Sequence, residues 1–293
     1  MKEGIIVKGI GGFYYIKHDE DIYECKARGK FRNRKITPLV GDYVSFAFDE
    51  TTNQGIIEDI HERKVELIRP PVANVEQAIV VFALKNPDPN LRLLDKILVM
   101  SEYNHLNLKI CINKVDLDSG NLIDEILEMY KDTGYEIIPC STKKDIGIER
   151  IREVLKDKIS VFAGPSGVGK SSILNKVQSG LELKTGELSS KIKRGKHTTR
   201  HSELLRLDFG GWVVDSPGFT SLNIDYIEID EMAHLFPEFK AYSDDCKFAN
   251  CFHVNEPDCG VKNALEEGYI NKNRYNNYTE FLNQIKEMKN RRY

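Results

Sequence analysis

Nowhere in this 293-residue chain is there an apolar run of about eighteen residues, the length a membrane-crossing helix needs. The opening MKEGIIVKGIGG has too short an apolar stretch for a secretion signal. Both absences lead us to expect a cytoplasmic protein without a membrane partner. A charge excess is also missing. Lys and Arg number 42 against 45 Asp and Glu, for a net charge of −3. The molecule as a whole is therefore no basic nucleic-acid binder, and such a site must rest on local clusters. Repeats and low-complexity tracts are absent. What is present, 41% hydrophobic and 30% charged residues, suits a core-forming chain. The length suggests two or three domains. The six cysteines, Cys25, Cys111, Cys140, Cys246, Cys251 and Cys259, do not read as a disulfide set in a reducing cytosol. Three of them crowd with a histidine near the end of the chain, which points to metal.

Residues 1–67 read as short strands broken by turn residues: Gly4–Val7, Gly12–Ile16, Ile22–Cys25, Asp42–Phe46 and Gln54–Ile57. That pattern suggests a small β-barrel or another kind of β-sheet subdomain, which spacing alone does not separate. From about residue 68 the period changes. Ala78–Phe82 is a continuous apolar run, as in a buried parallel strand. A helical pattern follows at Leu91, Leu94, Ile97 and Leu98, then a strand at Leu108–Ile112 and helices over 121–131 and 146–156. Strands at Ile137–Ile138 and Ile159–Phe162 separate them, and RLDF-GG-WVVD over 206–215 reads as two strands about a Gly-Gly turn. Alternating strands and helices predict an α/β sheet over 68–222. Residues 223–293 read as helical and loop-rich. The predicted fold is thus multidomain α/β: a barrel, an α/β domain and a helical metal-binding domain.

Gly164-Pro165-Ser166-Gly167-Val168-Gly169-Lys170-Ser171, followed by Ser172, fits G-x-x-x-x-G-K-[ST] in full. A strand precedes it and a helical segment follows. Glycines let backbone N–H groups approach phosphate oxygens, and the helix N-terminus adds positive charge. Lys170 is expected to bridge the β- and γ-phosphates and Ser171 to ligate Mg²⁺. Asp215-Ser216-Pro217-Gly218 ends the WVVD strand. There Asp215 suits the Mg²⁺ shell through a water, and the Gly218 N–H suits the γ-phosphate. Between them, the basic, glycine-bearing segment 191–200 has the character of a switch loop, with Thr199 a further Mg²⁺ ligand.

Asn113-Lys114-Val115-Asp116 has the form of a guanine reader. Asp116 can accept from guanine N1–H and N2–H, whereas adenine would leave the carboxylate unpaired. Asn113 and Lys114 brace the base and the loop, and the backbone at Ser141-Thr142 could meet guanine O6. The base reader precedes the phosphate loop, the reverse of the usual GTPase order. A circular permutation explains the order, because new termini can be cut without changing a packed sheet. Further on, Cys246-x4-Cys251-x-His253-x5-Cys259 offers three thiolates and an imidazole. Such a set suits tetrahedral Zn²⁺ in a closed structural site. The ion is expected to staple a domain too poor in apolar residues to fold alone. Lys26, Arg28, Lys30, Arg32, Arg34 and Lys35 form a cluster of six positive charges with no acid among residues 26–35. The segment 223–259 is acidic and is not expected to meet RNA except near the metal.

In the order NKVD, GPSGVGKS, GKHTT, DSPGF and the cysteine cluster, these motifs make the chain resemble the RsgA family of circularly permuted GTPases. The likeness spans nearly the whole chain. It implies an OB-fold barrel over 1–67 and GTP hydrolysis that is slow alone and stimulated by the 30S subunit. It also implies a role in late 30S maturation. With it, residues 26–35 become the expected contact to 16S rRNA. No glutamine follows Gly218 to orient water; Phe219, Thr220 and Ser221 stand there instead. The resemblance places a proposed catalytic histidine at His197, whose neutral imidazole suits the task near neutral pH. GTP and GDP, Mg²⁺, Zn²⁺ and the small subunit are the expected partners of a monomer. One rival reading is an RNA-binding scaffold that uses GTP as a structural ligand. Another is an ATP-using kinase or ATPase, against which NKVD argues.

Overall fold

The computed structural model describes residues 1–68, 70–178, 202–215 and 223–290. The chain divides into two units, each assembled from two segments: Met1–Ile79 with Ile148–Thr220, and Val80–Gly147 with Ser221–Tyr293.

Strands β1 (Lys2–Ile10), β2 (Phe13–His18) and β3 (Asp21–Ala27) form an antiparallel meander. A one-turn helix, α1 (Gly29–Asn33), leads on to β4 (Tyr43–Asp49) and β5 (Gln54–Ile60). β3 runs parallel to β5, β5 pairs with β4, and β4 returns to β1. The sheet therefore closes on itself, and this five-stranded closure is the expected OB-like barrel. Its interior is filled by Ile6, Ile16, Val44, Phe46 and Ile57, all fully buried. At the β3–β5 seam Cys25 pairs with Gly55, and a Cβ on Gly55 would lie 2.2 Å from the Cys25 sulfur. Glycine is required there because the two strands approach too closely for a side chain. The strands run longer than their apolar stretches, since pairing continues past the residues that face the core. A small hairpin of β6 (Glu66–Ile68) and β7 (Pro71–Ala73) follows the barrel.

Every residue of β8 (Gln77–Ala83) is buried, as its unbroken apolar run predicts. Helix α2 (Leu91–Tyr103) begins where the Asn90 side chain accepts the Leu93 N–H at 2.9 Å, and it buries Leu94, Ile97 and Leu98 at helical spacing. β9 (Asn107–Asn113), α3 (Leu122–Tyr130) and β10 (Glu136–Pro139) complete this stretch, with β10 parallel to β9. Next, α4 (Ile148–Leu155) buries Ile148, Ile151, Val154 and Leu155. β11 (Ile159–Ala163), wholly buried, feeds the glycine loop that opens α5 (Lys170–Val177). β12 (Glu203–Arg206) and β13 (Trp212–Asp215) are an antiparallel pair. β12 starts earlier than RLDF suggested, and 207–211 form the turn, with Gly210 and Gly211 at φ of 93° and 96°. In the first unit β13 runs parallel to β11, while β12 abuts β1 through the pair Lys8 and Glu203.

The last segment is helical, as expected: α6 (Lys240–Ser243), α7 (Gly260–Glu266) and the long α8 (Lys272–Asn290). Its core is larger than the sequence led us to expect. Phe236, Phe239, Tyr278, Phe281, Leu282 and Ile285 are all buried, and Phe239 and Tyr278 meet edge to face at 5.0 Å. Among the described residues, no helix is long and apolar enough to cross a membrane.

Candidate functional site

The phosphate loop takes the form its glycines dictate. Gly164, Gly167 and Gly169 adopt φ of 133°, 83° and 99°, values that side chains disfavour. The chain can thereby turn sharply out of β11 and present the N-terminus of α5. Lys170 Nζ donates to the Gly164 and Pro165 carbonyls at 2.7 and 2.8 Å, so the ammonium arches over the loop. Burial pushes its pKa down to about 8. An anion beside it would raise that value again. Val168 is buried and anchors the loop, and Ser171 is buried at the first turn of α5. Asp215 ends β13. One residue before it, Val214 pairs with Val161 of the parallel β11, so Asp215 leaves the sheet at the edge where the phosphate loop begins. In parallel α/β sheets that carboxyl edge is where ligands bind. His197, Thr199 and Gly218 lie outside the described residues.

The NKVD run is built at the end of β9. Asn113 is 1% exposed, and its side-chain oxygen accepts the Lys114 N–H at 2.8 Å and the Cys140 thiol at 3.3 Å. Lys114 stands at φ 64°, which turns the chain into a short 3₁₀ segment, Val115–Leu117, and its Nζ donates to the Asn86 carbonyl. Asp116 Oδ1 accepts the Ser141 hydroxyl at 2.5 Å. Ser141 itself is fully buried and exchanges backbone hydrogen bonds with Ile146 at 3.0 and 3.1 Å. Thr142, next to it, is half-buried. Asn113, Asp116 and Ser141 are thus brought together as expected. Two braces were not legible in the sequence, the Ser141 hydroxyl on Asp116 and the Cys140 thiol on Asn113. Both depend on the parallel pairing of β9 with β10.

Cys246, Cys251, His253 and Cys259 converge, with their ligand atoms all within 4.8 Å of one another. Cys246 Sγ lies 3.8 Å from Cys259 Sγ and 3.5 Å from His253 Nδ1, which is 3.4 Å from Cys259 Sγ. A tetrahedron with Zn–S bonds of about 2.3 Å has edges of about 3.8 Å, so this donor set fits the ion. Burial pushes the Cys251 thiol up to about 12. A cation at the centre would reverse that and hold the thiolates. Burial lowers the pKa of His253, which favours the neutral, ligating imidazole.

The basic cluster lies at the end of β3 and on α1. Lys26, Arg28, Arg32, Arg34 and Lys35 are exposed, and Lys30 is half-buried. Arg28 pairs with Glu58 at 2.8 Å, and Lys26 sits 4.9 Å from the Phe13 ring centroid. Part of this segment is helical because Phe31, buried in the unit, pins the turn.

A glycine loop with a buried lysine and an N-K-x-D loop with a braced carboxylate define a GTPase whose base reader precedes its phosphate loop in the chain. Residues 60–225 match the RsgA GTPase family model and residues 3–57 the RsgA N-terminal domain. The chain belongs to the RsgA family of GTP-hydrolysing enzymes. It is 51% identical to the small ribosomal subunit biogenesis GTPase RsgA of Alkaliphilus metalliredigens, covering 100% of both chains. Against the protein of that name from Clostridium botulinum it is 50% identical, over 97% of this chain and 99% of the other. Among solved structures it resembles YjeQ from Thermotoga maritima, at TM-score 0.85 and 41% identity, covering 97% and 98% of the two chains. It also resembles YloQ, described as a circularly permuted GTPase, at TM-score 0.83 and 39% identity, covering 98% and 96%.

Proposed function

We propose that this enzyme hydrolyses GTP to GDP and phosphate during late maturation of the small ribosomal subunit, and that the 30S particle stimulates it. The observation that carries this reading is the match along the whole chain to relatives named for small-subunit biogenesis. On this reading the phosphates are bound by Gly164–Ser172, with Lys170 stabilising charge on the transferred phosphoryl group. The base is bound by Asn113, Lys114, Asp116, Ser141 and Thr142. Ser171, Asp215 and Thr199 would hold Mg²⁺, which neutralises phosphate charge when bound. Gly218 would meet the γ-phosphate, and His197 would orient the attacking water.

We assign RNA contact to residues 1–67, through Lys26, Arg28, Lys30, Arg32, Arg34 and Lys35. The nucleotide domain is assigned to 68–222 and the Zn²⁺-holding domain to 223–293, in a cytoplasmic monomer. With no glutamine after Gly218, turnover alone is slow, and basic groups meeting 16S rRNA phosphates would order the switch segment. The test is multiple-turnover GTP hydrolysis with and without purified 30S subunits, and with Ser171→Ala. Strong stimulation that Ser171→Ala abolishes is expected. Equal turnover in both conditions would overturn subunit dependence. A protein that binds GTP without turnover would instead favour the scaffold reading.

A further inference from the structure

The loop between Cys251 and Cys259 reads FHVNEPD, and none of its apolar side chains, Phe252, Val254 and Pro257, is fully buried. One carboxylate organises it instead. Glu256 Oε1 accepts the Phe252 N–H at 3.1 Å, and Oε2 accepts the N–H groups of Val254 and Asn255 at 2.9 and 3.1 Å. These amides lie on both sides of His253, whose φ of 54° is in the left-handed region that non-glycine residues seldom occupy. The neighbouring carbonyls are held from α8. Tyr278 donates its hydroxyl to the Phe252 carbonyl and Tyr275 to the His253 carbonyl, each at 2.6 Å. The His253 N–H points at Cys251 Sγ, 3.4 Å away. Lys262 Nζ holds the Glu256 carbonyl at 3.0 Å. Glu256 is not among the four convergent donors. Burial works to raise its pKa, yet the surrounding N–H groups outweigh that and hold the carboxyl below its ordinary value.

We propose that Glu256 is the positioning residue of the metal loop. Its ionised carboxylate gathers the Phe252, Val254 and Asn255 amides and keeps His253 left-handed, with Nδ1 facing the thiolates. It thereby sets how long Zn²⁺ stays bound. Hydrogen bonds to an ionised acceptor are the strong kind, and groups that orient metal ligands govern affinity nearly as much as the ligands do. Glu256→Gln keeps the shape but exchanges one acceptor oxygen for an amino group that faces N–H donors. Glu256→Ala removes both oxygens. Asp258 provides the comparison: its carboxylate lies on the same loop but pairs with exposed Lys247, at 2.8 Å.

The proposal rests on the zinc reading, and the experiment separates the two. Full-length protein is loaded with Zn²⁺, and transfer of the ion to a chromogenic chelator is timed for wild type, Glu256→Gln, Glu256→Ala and Asp258→Asn. The absorption spectrum of the Co²⁺-substituted proteins reports ligand geometry, and circular dichroism reports folding. Release about 10- to 100-fold faster is expected from Glu256→Ala, with a smaller increase from Glu256→Gln and none from Asp258→Asn. The Co²⁺ bands of both Glu256 variants should weaken as the site departs from tetrahedral symmetry. Wild-type retention with unchanged release and spectra in a folded Glu256→Gln protein overturns the proposal, even if Glu256→Ala does not fold. A wild-type protein that retains neither ion overturns the zinc reading, and the proposal with it.

Discussion

Asp116, the proposed guanine acceptor, has one oxygen already engaged. The Ser141 hydroxyl on Oδ1, 2.5 Å away, fixes the carboxylate's orientation before any base arrives, so less ordering remains for binding. Replacing the carboxylate by an amide presents an N–H₂ group to guanine's own N–H donors. Asp116→Asn is therefore expected to weaken GTP roughly ten- to hundred-fold and to favour xanthosine nucleotides, whose C2 carbonyl accepts from that amide. Competition binding with GTP and XTP checks this, and an unchanged preference removes the guanine assignment. Asn113 and Asp116 were legible in the sequence because N-K-x-D is contiguous. Their braces were not, because Ser141 and Cys140 reach them only through strand pairing.

Helix α8 shows the same limit at the scale of an element. By its sequence Arg274 is one of several positive charges in a basic tail, and such charges usually face solvent. In the fold it is 1% exposed. Its guanidinium donates to Glu238 at 2.7 and 2.9 Å and to Asp95 of α2 at 2.6 Å, while Tyr130 and Asn277 also donate to Asp95. Every member of this buried cluster is paired, but the partners lie 36 and 179 positions away in the chain. The same helix buries Tyr278 and Phe281 fully and Tyr275 by half. Arg274→Ala leaves two buried carboxylates uncompensated and is expected to cost about 3–5 kcal/mol in urea denaturation. Arg92→Ala, at the exposed Arg92–Glu280 pair, should cost no more than about 1 kcal/mol. Equal losses from the two variants would contradict the idea that the buried cluster ties α8 to α2.

At the scale of the whole molecule the chain passes between its two units three times, so neither unit corresponds to one continuous stretch. This bears on what the metal does. The segment after residue 223 has its own apolar core as well as the buried ion cluster, so on the zinc reading the ion is not all that holds it together. Chelation is expected to free the amides of 246–259 to hydrogen exchange while most of the helical circular dichroism remains, and added Zn²⁺ should restore protection. Loss of the α8 signal as well would mean that the ion supports the entire segment. The sequence by itself determined the glycine loop, the N-K-x-D run, their inverted order and the spacing of the three cysteines and the histidine. Each of these is written in neighbouring residues whose spacing the chemistry demands. Tertiary structure alone decided the hydroxyl on Asp116, the burial of Arg274 and the carboxylate that gathers the metal loop. Those depend on which side chains packing brings face to face, and spacing along the chain does not fix that.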